Sequence, residues 1–181
     1  MTGALEKEYR DLLFGVRRSI RYNSRRELHY DRFHRLVVFF GLFFGTATIA
    51  TFGAELTTDV ALPIKLLPAV VISLLSAFDL IIGSAQKSRL HNDLVRDFVG
   101  LEKELELSEN GPTQEIVKRV TAKRLDIEAT EPPVLRVLDT ICHNELMRAM
   151  GYKKTELVRV GRLQRFFSPI FDFREHTLIT D

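Results

Sequence analysis

Cys142 and His143 put a thiol beside an imidazole, so nucleophilic catalysis is the first chemistry to test. Consecutive residues of a helix point about 100° apart and cannot face one substrate atom. The pair is therefore read as a buried structural thiol and its neighbour on an amphipathic helix. With a single cysteine there is no internal disulfide, and the metal-holding spacings CxxC and HExxH are missing. The phosphate-cradling loops GxxxxGK[ST] and GxGxxG are missing too. No triad or carboxylate pair stands at a recognisable spacing, so neither an enzyme nor a cofactor is expected. What does need a chemical account is Asp79, the one charge in the twenty residues 66–85.

The elements around Asp79 explain why it stands out. Residues 36–54 form a run of 19 without a charge, and residues 66–85 form a second run. At about 1.5 Å per helical residue, each matches the hydrocarbon thickness of a bilayer. Core helices of a soluble bundle would keep a polar stripe, whereas residues 37–44 are apolar or glycine all the way round. The overall composition, 45% hydrophobic with a net charge of +2, hides this segregation. A cleaved signal peptide does not fit, because 35 residues rich in charge precede the first run.

At membrane depth a charge costs about 2.5 to 3.5 kcal/mol, so Asp79 must face protein or water. Two roles remain open: an ion pair with Arg32 or Arg35 at the entrance of the first span, or a cation-attracting ring in an oligomeric pore. Ala69, Ser73, Ser76, Asp79 and Gly83 share one helical side at spacings of 4, 3, 3 and 4 and form the candidate pore face. Gly41 and Gly45, continued by Thr48, permit close helix packing on the first span. Phe39, Phe40, Phe43 and Phe44 are lipid-facing by default, and His29, Tyr30, Arg32 and Arg35 mark the interface where a gating signal would enter.

Residues 1–35 carry nine Lys/Arg against five acids, the turn at 55–59 has two acids and no base, and Lys87, Arg89 and Arg96 follow the second span. Basic flanks stay inside, which gives an N-in, C-in hairpin. Three regions are expected: an N-terminal arm or helix at 1–35, a transmembrane hairpin at 36–85 and a cytoplasmic helical region at 86–181. The fold class is thus an all-α membrane protein of two transmembrane helices. Pro63 suits a helix start, Lys65 can snorkel, and Pro68 is expected to kink the second span. That span is expected to continue as a long cytoplasmic helix with the stripe Leu90, Leu94, Phe98, Leu101 and Leu105, read as a seam for helix pairing.

Asn110, Gly111 and Pro112 stop that helix, and Thr113 caps a second one reaching Leu125. Pro132 and Pro133 open a third, to about Met150. A fourth runs from about Thr155 with Leu157, Val160, Leu163 and Phe167 on one side. Residues 86–181 balance 16 Lys/Arg against 16 Asp/Glu, so no general nucleic-acid affinity is expected. The basic excess of the arm favours anionic headgroups.

Ser24-Arg25-Arg26-Glu27-Leu28-His29-Tyr30-Asp31-Arg32 before the first span resembles the SLATT family of two-transmembrane bacterial effector domains. So do Leu90-His91-Asn92-Asp93-Leu94, Arg124-Leu125-Asp126-Ile127-Glu128 with Glu131-Pro132-Pro133, and Cys142-His143-Asn144-Glu145. The likeness covers about residues 10–165. It implies an inner-membrane effector in defence against phage that oligomerises and conducts ions or disrupts the bilayer, with a nucleotide-type signal or its synthase as partner. Because two helices cannot enclose a water path, a pore would need a homo-oligomer, a tetramer or larger. The alternatives are a non-conducting anchor that recruits a soluble partner and a holin-like lytic protein.

Overall fold

The computed structural model describes residues 2–53, 62–108 and 111–170. Among them the regular elements are helices: α1 (Thr2–Gly53), α2 (Leu62–Ile82), α3 (Ser84–Glu106), α4 (Gln114–Glu128), α5 (Arg136–Ala149) and α6 (Arg162–Phe167), with a 3-10 turn at Lys154–Glu156. α1 merges the expected arm and first span into one helix of 52 residues. It contains no proline, so nothing in it forces a break. The expected external turn at 55–59 and the side chains of Pro63 and Lys65 lie outside what is described.

The chain divides into two compact units. The first joins Met1–Arg26 to Leu90–Asp181, and the second is Glu27–Arg89. The N-terminal 26 residues therefore share a core with the C-terminal region.

That core packs Leu12 and Val16 of α1 against Leu94, Phe98, Leu101 and Leu105 of α3 and Ile116, Val117 and Val120 of α4. Four residues of the α3 stripe are thus buried, and Leu90 is exposed. The stripe is consumed within the chain, so it no longer argues for pairing between chains. Tyr22 packs on Leu138 and Cys142 in a second cluster. Thr113 caps α4 as expected, its Oγ1 accepting from the Ile116 N–H at 3.3 Å. α4 runs three residues beyond Leu125, and α5 starts at Arg136, with Pro132 and Pro133 in the segment before it. Gly151, at φ +84°, ends α5 in the left-handed conformation that glycine adopts without strain.

Two expectations about helix continuity fail. The second span does not run on unbroken: Gly83 has φ +64° and separates α2 from α3. Nor does a fourth helix begin near Thr155. Asn144 on α5, 6% exposed, grips the backbone of Val158 at two points, donating from Nδ2 to its carbonyl at 2.7 Å and accepting its N–H at Oδ1 at 3.0 Å. Those backbone groups are no longer available to a helical ladder. α6 starts only at Arg162, where Gln164 Oε1 accepts from the Gly161 N–H at 2.9 Å.

Candidate functional site

In the second unit the least exposed positions recur at spacings of 3 and 4 on both apolar helices. On α1 they include Tyr30, His34, Val37, Gly41, Gly45 and Thr48, and on α2 Pro68, Ile72, Leu75, Asp79 and Ile82. Residues at that spacing stack on one helical face, and both chemically active side chains, His34 and Asp79, fall on these faces. α2 runs through Pro68 without interruption.

Asp79 Oδ2 lies 2.9 Å from His34 Nδ1. Its other oxygen, Oδ1, accepts from the Ser84 hydroxyl, and Ser84 is buried. One carboxylate therefore joins α1, the last turn of α2 and the first residue of α3. Across the break, the Gly83 N–H still donates to the Asp79 carbonyl at 2.8 Å, and the Lys87 N–H donates to the Gly83 carbonyl at 2.9 Å. A carboxylate beside a helix N-terminus is also favoured by the partial positive charge of its free N–H groups.

The expected partners of Asp79, Arg32 and Arg35, are not the ones it has. Arg35 binds Asp31 one turn earlier on α1. It sits one residue, about 100°, off the face that carries His34, and Arg32 is exposed on α1 two residues before it. His34 is not among the partners expected for Asp79, although its spacing of 3 and 7 from Val37 and Gly41 marks it as a seam residue.

Serine, aspartate and histidine together invite comparison with a hydrolytic triad. There the imidazole stands between carboxylate and hydroxyl and takes the serine proton. Here the carboxylate is central and itself accepts from the hydroxyl, so the arrangement activates no nucleophile. It is a polar joint in an apolar hairpin.

The candidate pore face is divided. Ser73 and Ser76 are exposed, Ala69 and Gly83 are half-buried, and Asp79 is engaged in the joint. The Ser73 hydroxyl donates to its own Ala69 carbonyl at 2.8 Å, and Thr48 does the same to Phe44 at 2.8 Å. A Cβ added at Gly41 or Gly45 would meet nothing within 4 Å, so the chain's own packing does not need these glycines. Phe39, Phe40 and Phe43 are exposed, and Phe44 is half-buried. Among the expected gating residues, Lys87 Nζ stands 5.5 Å from the centroid of the Tyr30 ring, and His29 meets Tyr30 edge-on at 5.8 Å.

The first unit holds a second polar set. His91 Nδ1 is 2.7 Å from Asn23 Oδ1, and Asn23 Nδ2 donates to Glu131 Oε1 at 2.7 Å. Because Oδ1 only accepts, the Nδ1 of His91 carries the proton when the amide is oriented this way. Beside this network an open cleft of about 370 Å³ is lined in part by Arg18, Tyr22, Arg124, Glu131 and Asp139. Burial raises the carboxyl pKa values of Glu131 and Asp139 above their ordinary range. It also raises the Tyr22 hydroxyl, which accepts from the Leu135 N–H at 2.9 Å.

Cys142 is fully buried, and burial pushes its thiol up to about 12. His143 meets Phe14 edge-on at 5.1 Å. The two adjacent residues thus serve packing in different directions. Among the described residues, no group of three or more His, Cys, Asp and Glu converges to hold a metal ion.

Two helices are long and apolar enough to cross a membrane, and their most apolar windows are buried over only 6% and 0% of their residues. Comparison with protein-family models, curated proteins and solved structures found no match.

Proposed function

We propose that the chain is an integral membrane protein crossing the bilayer twice, with both ends inside, and that it works as an oligomeric effector. A signal or partner acting on its cytoplasmic helices rearranges the hairpin and opens an ion path or breaches the membrane, without covalent chemistry. The observation that carries this reading is the exposure of both apolar windows. In a soluble bundle such surface would be the core, whereas lipid is its natural solvent. Ser73 and Ser76 leave a small polar line open to a neighbouring copy, and the uncrowded Gly41 and Gly45 leave room for close approach. Bacterial defence against phage, an inner-membrane location, growth arrest or death, and a nucleotide-type signal or its synthase rest on the SLATT resemblance alone.

A non-conducting anchor that recruits a soluble partner is the second reading. It is favoured by one observation: the single charge between residues 66 and 82, Asp79, is held inside the hairpin.

Labelling tests the membrane arrangement. A cysteine replacing Thr57 should react with an impermeant maleimide in intact cells, and one replacing Leu107 only after permeabilisation. Reaction at 107 in intact cells would sink the N-in, C-in arrangement. Potassium leak on overproduction, abolished by Ser73→Leu with Ser76→Leu in protein that still reaches the membrane, separates effector from anchor. An unchanged leak would put the path on another face.

A further inference from the structure

Residues 157–170 combine two properties that belong to a bilayer surface. Arg159, Arg162 and Arg165 are their only charges, and all three are exposed. Leu163, Phe166 and Phe167 follow the spacing of 3 and 4 that puts apolar side chains on one helical face, and Ile170 follows in the turn after α6. That face is normally the buried one, yet Leu163 is 75%, Phe166 76% and Ile170 54% exposed.

Loose packing does not explain the exposure, because the segment is fastened at both ends. Asn144 clasps Val158 at its start. At its end, Arg26 of α1 donates from Nη1 to the Pro169 carbonyl at 2.7 Å, and Ser168 is buried. In sequence Arg26 lies ten residues before the uncharged run that opens at Leu36. The clasp thus fixes the segment to α1.

We propose that the α6 segment, residues 159–170, is a surface-binding element that docks on the anionic headgroups of the membrane in which the hairpin is embedded. The arginines bind lipid phosphate, while Leu163, Phe166 and Ile170 enter the headgroup and acyl boundary. Aromatic and leucine side chains on one face with basic ones beside them are what an interfacial helix uses. Leu107 supplies the contrast: it is 77% exposed, but its sequence neighbours are Glu104, Glu106 and Glu109, which anionic lipid repels.

The inference rests on the membrane-spanning reading, and its test separates the two. The full chain carrying Phe166→Cys is labelled with an environment-sensitive fluorophore. Cys142, buried and with its thiol pushed up to about 12, does not compete for the label. The protein is then placed in nanodiscs of phosphatidylcholine alone or mixed with phosphatidylglycerol, and quenching by lipid-borne and by aqueous quenchers is compared.

The expected result is lipid quenching in the anionic discs, less in the neutral ones, and loss of that difference in Arg162→Glu with Arg165→Glu. A label at Leu107→Cys should stay with the aqueous quencher throughout. A label at 166 that behaves like the one at 107, or that is shielded from both quenchers by a second copy or another part of the chain, overturns the inference while the spanning reading stands. Failure of the chain to enter discs overturns both.

Discussion

The Nδ1 of His34 and the Oδ2 of Asp79 lie 2.9 Å apart, joining α1 just before its uncharged run to the last turn of α2. The one carboxylate of the second apolar helix is matched by an imidazole, while the nearby Arg35 is used by Asp31 on its own helix. A double-mutant cycle on detergent-solubilised protein distinguishes these partners. His34→Gln and Asp79→Asn should be non-additive by about 1 kcal/mol, whereas Arg35→Gln and Asp79→Asn should add within about 0.5 kcal/mol. Coupling to Arg35 in place of His34 would refute the joint as described.

Gly83 has φ +64°, a conformation that costs an L-residue with a side chain roughly 1 to 2 kcal/mol. Gly83→Ala should destabilise the hairpin by that amount even though space is available, the nearest atom to the added Cβ being Gln86 Oε1 at 3.5 Å. Gly41→Ala, whose Cβ meets nothing within 4 Å, should leave the isolated chain's stability unchanged or slightly raised. Equal effects at the two positions, read from denaturation midpoints, would mean that the break at Gly83 is not a fixed feature.

Phe98 is fully buried and Leu90 is 38% exposed on the same stripe. Phe98→Ala should lower stability by about 3 to 5 kcal/mol, and Leu90→Ala by well under half of that. Similar losses would show that the stripe is buried along its whole length, as in pairing between chains.

Glu131 is held above its ordinary carboxyl pKa of 4.5, first by burial, against the opposing hydrogen bond from Asn23. A folded state that binds the proton more tightly than the unfolded one loses stability as pH rises from the unfolded pKa through the folded one. Glu131→Gln keeps an acceptor for Asn23 and removes the buried charge. Melting temperatures measured as pH rises above the ordinary 4.5 should fall less in the variant, which should match or exceed the parent at neutral pH. A steeper fall in the variant would mean that Glu131 binds its proton less tightly in the folded state than in the unfolded one.

Much of this architecture was legible in the sequence because it is written in local periodicity. The uncharged runs, the stripe from Leu94 to Leu105, the Thr113 cap and the burial of Cys142 each depend on spacing along one helix. What periodicity does not carry is the partner across a helix pair. The choice of His34 over Arg35 depends on a 100° rotation of α1, and the Asn144–Val158 clasp that delays α6 joins residues 14 apart whose meeting no short pattern encodes. Gly83 reads as one more small residue on a helical face, since the sign of its φ leaves no mark on composition.

The central claim is that the hairpin works as part of an assembly. The most direct measurement is the native mass of the full chain reconstituted in lipid nanodiscs. The expected mass is that of a tetramer or larger, in which one helix from each copy lines the path. A clean monomer or dimer in discs, repeated in gentle detergent, would contradict the pore reading and leave the membrane anchor in its place.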